Sequence, residues 1–261
     1  MFDFRKVELI KNIYIRYKTM KTKLITAFIL LVAVTLSAKK KPEVFSQEQY
    51  GVKNNGTSIV IQFEKGKEHN HPLYAIWLAD ENGKYIQTLY VSESIGRGIF
   101  KHASLKVGRW LAGEVQRPAA LPYWAFQRGV KNEYGTCMPT SRNPVVDAYT
   151  GATPAASFLL HVKTEKPLHG KYKVLLELNQ SWDWNETWTN NRFPADKEYL
   201  TSSQPALVYA VDIDTSHPSA EYELKPIGHS HYSGKAGSLT TDLSSITTAL
   251  GIAKRISVTL K

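Results

Sequence analysis

From residue 57 onward, apolar and polar positions fall into short runs of β character. Residues 57–63 (TSIVIQF) are rich in β-branched side chains, and residues 73–79 (LYAIWLA) are almost continuously apolar. After Asp80-Glu81-Asn82-Gly83, residues 84–91 (KYIQTLYV) alternate, with Tyr85, Gln87, Leu89 and Val91 on one face. Two such runs joined by an Asn-Gly turn predict a β-hairpin. Further strands are expected over 157–162, 172–178, 206–213, 220–224 and 255–260, each bounded by Gly, Pro, Asn or Asp. Short strands without long helices between them predict a mainly β fold, an antiparallel β-sandwich (immunoglobulin-like or related), rather than a βαβ arrangement. One short helix is expected within 119–130, beginning at Pro122. A second is expected over 243–250, with Asp242 as its cap and Gly251 as its stop.

The N-terminal region follows a different grammar. Met20-Lys21-Thr22-Lys23 is a short basic start, residues 24–36 are mostly apolar, and Ser37-Ala38 are small residues ahead of three lysines. That order predicts a secretory signal peptide within an extension covering residues 1–38, with Met20 as the effective start. It implies a periplasmic or secreted chain with no stable membrane span after cleavage, since thirteen apolar residues are short for a span. Residues 39–56 read as a polar, flexible lead-in, and 57–261 as a single β-rich domain.

Charge adds little. The formal +10 includes a surplus of five from residues 1–38, and without them 26 basic side chains face 21 acidic ones. A mildly basic surface of this kind gives no reason to expect a nucleic-acid partner. The lone Cys137 excludes a disulfide within the chain and any thiolate cluster. No Gly-x-Ser-x-Gly elbow, phosphate loop or His-Glu-x-x-His is present, which favours a non-enzymatic role.

Three features carry candidate chemistry. The first is the loop Asp147-Ala148-Tyr149-Thr150-Gly151-Ala152-Thr153. It reads either as a turn built by Asp, Gly and hydroxyls or as a hydroxyl presented to a modifying enzyme. Its spacing resembles the acceptor motif of proteins that carry FMN covalently, attached through its phosphate by a flavin transferase. The resemblance puts FMN on Thr153, with Asp147, Thr150, Gly151 and Ala152 as recognition residues. Pro154 follows directly and draws Thr153 toward extended backbone.

The second is Trp182-Asp183-Trp184-Asn185-Glu186-Thr187-Trp188, which holds three of the six tryptophans. Trp182 and Trp184 would suit stacking on an isoalloxazine ring or a glycan. Alternatively the tryptophans close one end of the core. The third is the pair of His-x-His runs, His69-Asn70-His71 and His229-Ser230-His231. Residues two apart in a strand point the same way, so His229 and His231 are candidate metal ligands if the runs converge.

Three runs, 73–89, 146–154 and 169–179, together resemble a family of periplasmic bacterial proteins, domain of unknown function 2271, over most of the chain from Thr57. Here Thr150 stands where Ser is commoner in the family. The resemblance implies neighbours of the PepSY membrane-protein and flavin-transferase kinds, and a part in extracytoplasmic electron transfer or metal reduction. The alternative is a non-catalytic binding module of the cell envelope, gripping a glycan, a protein or a metal.

Overall fold

The computed structural model describes residues 14–23, 43–145, 150–151 and 153–261. They belong to two units, Met1–Glu43 and Val44–Lys261. In the first, residues 14–23 form an exposed helix, α1. The apolar run 24–36 and the small residues at 37–38 lie outside the described residues. Among those described, no helix is long and apolar enough to cross a membrane.

The second unit is a β-sandwich. Its first sheet is ordered β1 (Ser46–Tyr50), β8 (Phe158–Lys163), β2 (Ser58–Lys65), β13 (Ala253–Leu260) and β11 (Tyr222–Glu223). Its second is ordered β12 (Lys225–His229), β10 (Leu207–Asp214), β9 (Lys171–Asn179), β3 (Leu73–Asp80), β4 (Tyr85–Ser92) and β7 (Thr150–Gly151). Pairing is antiparallel except for β1 with β8 and β4 with β7. A separate two-stranded sheet, β5 (Ile99–Lys106) with β6 (Arg109–Glu114), forms a hairpin of its own.

The two sheets bury different patterns because they have different neighbours. In β2, Ile59, Ile61 and Phe63 are buried while the residues between them are partly exposed. That is the period-two pattern of a sheet with one wet face. In β3, the residues from Tyr74 to Ala79 are all buried. Tyr74, Ile76 and Leu78 join the core between the sheets, with Ile61, Phe63, Phe158, Leu160 and Val258. Ala75, Trp77 and Ala79 join a second core with Ile95 of the short helix α2 (Glu93–Arg97) and under α3 (Pro122–Arg128), with Leu121, Trp124 and Met138. The unbroken apolar run at 73–79 is therefore a strand covered on both sides.

The hairpin of β3 and β4 forms as expected. Asp80 Oδ1 accepts the amides of Asn82 and Lys84, and Gly83 takes φ +86° to close the turn. Helix α3 starts at Pro122 and stops at Gly129, which is left-handed at φ +69°. Two expectations are corrected. Residues 243–250 do not make an α-helix, and only a 3₁₀ turn, Thr248–Gly251, forms there. Asp242 instead accepts the Ser244 amide in a local turn, and the hydroxyls of Ser245, Thr247 and Thr248 are used by neighbouring loops. The polar lead-in is not featureless either, since Ser46–Tyr50 pairs with β8 along its whole length.

Candidate functional site

The register of the second sheet gathers the candidate residues along one rim. Val91 opposes Ala75 and Thr150, Leu73 opposes Asn179, and Leu207 opposes both Leu178 and His229. The described residues leaving this end are 153–154, 69–72, 180–204 and 229–232. The described residues of all three sequence features therefore share one end of the sheet, spread across its width.

At the β4–β7 side, Thr150 and Gly151 pair in parallel with Val91 and Ser92. Asp147 and Ala152 lie outside the described residues. Thr153 is half-buried, and its hydroxyl donates to Ser92 Oγ at 3.1 Å. Ser92 is fully buried and its Oγ also accepts the Tyr74 amide at 2.9 Å. Pro154 is buried beside it. Thr153 is thus a partly exposed residue whose hydroxyl, among the described residues, is held by Ser92.

Further along the rim, the tryptophans separate. Trp182 stands 63% exposed with φ +63°, its amide donating to the Ser202 carbonyl at 2.9 Å. A bulky residue in the left-handed region is uncommon and costs free energy. Trp184 and Trp188 close the end of the core instead. Trp184 packs edge-on to Tyr199 at 5.5 Å, and buried Trp188 lies 6.0 Å from His229 and 6.2 Å from Tyr232. The Arg192 guanidinium sits 4.3 Å above Trp188, while Phe193, Tyr232 and His231 stack in succession at 4.1 and 4.6 Å. Polar side chains fix this loop. Asn185 accepts the amides of Thr187 and Trp188 and donates to the Ser245 carbonyl and the Thr247 hydroxyl. Asp183 accepts from Thr248 at 2.5 Å, and its buried Oδ2 finds no partner among the described residues. Burial raises the Asp183 pKa, with Glu68 adding to the rise and Thr248 opposing it.

The His-x-His runs do not form a common centre. The buried His229 donates from Nδ1 to the Ser230 carbonyl at 2.9 Å, the only role a carbonyl partner allows. His231 Nδ1 accepts the Ser233 amide at 3.2 Å, so its proton resides on Nε2. Burial, followed by the nearby Lys235, lowers the His231 pKa and favours this neutral form. His69 bonds Tyr74 Oη, and His71 bonds its neighbour Asn70. Among the described residues no group of three or more His, Cys, Asp or Glu is placed to hold an ion.

Glu177 was not singled out by any motif, yet it is the most perturbed acid of this end of the fold. It is fully buried in β9, with Oε1 accepting the Tyr123 amide at 3.1 Å and Oε2 the Trp124 amide at 2.7 Å. Burial pushes its pKa up to about 8 against these two amides, which pull it down. The signal was there to find: a single carboxylate inside the run V-L-L-E-L. Comparison with family models, curated proteins and solved structures gives no match.

Proposed function

We propose that this chain is an exported, non-enzymatic redox accessory that carries FMN covalently on Thr153. The single observation that carries the reading is the state of that hydroxyl, which lies beside a sheet edge within an Asp-x-x-Thr-Gly-Ala-Thr run and, among the described residues, is bonded through another hydroxyl. The pair suits esterification. Ser92 accepts here, and a hydroxyl that accepts can donate once Thr153 becomes an ester oxygen. Attachment from a flavin dinucleotide balances: a P–O bond forms at Thr153 Oγ1, the pyrophosphate bond breaks, and a nucleoside monophosphate departs with the hydroxyl proton released. Bound FMN would supply electron transfer, and the chain would position it. Strand spacing sets the ends of β4 and β9 roughly 10 Å apart, so the exposed face of Trp182 lies within the span of the same rim. A flavin transferase and a PepSY-type membrane donor are the partners this reading requires, in the periplasm or outside the cell.

Intact mass after co-expression with a flavin transferase tests it. The expected result is a gain of one FMN less one water, absent in Thr153→Val. No gain, or a gain that survives Thr153→Val, overturns it.

A second reading, a binding module of the cell envelope, draws on Trp182 held out at φ +63° and on Arg192 capping Trp188. It predicts that the unmodified protein quenches its tryptophan fluorescence on titration with a ligand, and that Trp182→Ala removes the effect.

A further inference from the structure

The hairpin of β5 and β6 projects from the rest of the fold with its apolar side chains outermost. Leu105 and Trp110 oppose each other across the ladder, 59% and 50% exposed. Lys106 opposes Arg109, so the cations lie on the other face at the same level. Val107 and Gly108 form the two-residue turn between them, with φ of +48° and +72°. Two positive φ values in such a turn match type I′, which favours Asn, Asp or Gly at both positions. Val107 is β-branched, an outlier in this backbone region, and it is completely exposed. The tip accepts backbone strain in order to display an apolar side chain to solvent, and an outlier of this kind points to a function.

Charge identifies what the tip meets. From Ser94 to Gly113 there is no acidic residue. Lys101, Lys106 and Arg109 are exposed and make no salt bridge among the described residues. The base of the hairpin is anchored, with Phe100 against the second core and Arg117 above its ring at 5.2 Å. A tip of three apolar side chains falls short of the roughly 800 Å² per partner typical of a stable protein interface. It does fit a lipid surface, where tryptophan settles at the headgroup level, aliphatic side chains reach the acyl boundary and lysine and arginine meet the phosphates.

We propose that the β5–β6 tip inserts into the surface of an anionic bilayer, with Leu105, Val107 and Trp110 entering and Lys101, Lys106 and Arg109 binding headgroups. The test uses the full chain with an environment-sensitive dye on Val107→Cys in a Cys137→Ser background. Vesicles of phosphatidylglycerol and phosphatidylcholine in equal parts should shift the dye emission to the blue, and phosphatidylcholine alone should not. Replacing the three cations with Gln should weaken the response about a hundredfold, each charge near an anionic surface being worth about a factor of five. An unchanged emission on the anionic vesicles, or an equal response on neutral ones, overturns the proposal. Quenching by brominated lipid, compared between the parent chain and Trp110→Phe, reports the same contact without an engineered thiol. Equal quenching in the two also overturns it. The apolar run 24–36 is common to all variants, so each difference belongs to the hairpin.

Discussion

Glu177 reaches across from the middle of the second sheet to cap the backbone of α3 through the Trp124 amide, 2.7 Å away. This contact joins the central strand to the layer that covers its outer face. It also places a titratable group where water does not reach. With its pKa raised from 4.5 to about 8, the folded state holds a proton that the unfolded state releases. Stability from this group is complete below about pH 4.5 and is lost as pH rises toward 8. Urea midpoints should therefore fall over that window, by at most about 5 kcal/mol in free energy. Glu177→Gln should flatten the dependence, and an unchanged slope would show that another group is responsible.

Ser92 holds both Thr153 and the Tyr74 amide. Ser92→Ala leaves the buried Tyr74 amide without this acceptor, at an expected cost of about 1–3 kcal/mol. Chemical denaturation measures that loss. The same variant leaves the Thr153 hydroxyl in place, so on the proposed reading FMN attachment should persist.

Gly234 fixes the path of the 229–235 loop. It sits at φ +69°, and a Cβ there would come within 2.0 Å of the Pro118 carbonyl oxygen. Gly234→Ala should cost about 2 kcal/mol or more. Near-ultraviolet circular dichroism should register the displaced Tyr232, which stacks on Phe193 and His231.

Val107→Asn relieves the turn of the exposed hairpin. The left-handed conformation costs an ordinary residue about 1–2 kcal/mol, of which Asn avoids a part. Slower hydrogen exchange of the hairpin amides is the expected outcome. Unaltered exchange would mean that the turn is not strained by its side chain.

The sandwich was legible because its strands announce themselves in two ways. Alternation in β2 and the Asn-Gly turn after β3 are local signals, and both survive in the fold. The double burial of β3 also left its mark, as a run without polar breaks. What stayed hidden depends on distant partners. Ser46–Tyr50 carries no apolar pattern and becomes a strand only by lying along β8. The β5–β6 hairpin lacks a favourable turn dipeptide, since Val-Gly takes the place of Asn-Gly. The apolar residues of 243–250 suggested a helix, but the hydroxyls among them serve Asn185, Gln204 and Trp188. For the site, the sequence indicated Thr153 and the tryptophan run. It did not reveal that the latter meets Tyr232 and His229, because contacts across a rim have no periodicity along the chain.

The pairing of β2 with β13 sets Ile59 opposite Leu260. Those two strands come from opposite ends of the second unit, so its first sheet can close only after almost all of that unit is available. Contacts this remote in sequence slow folding. Synthesis from the N-terminal side makes β2 long before its partner β13, and loss of β13 would bare one edge of β2 and detach the two-residue β11 from the sheet.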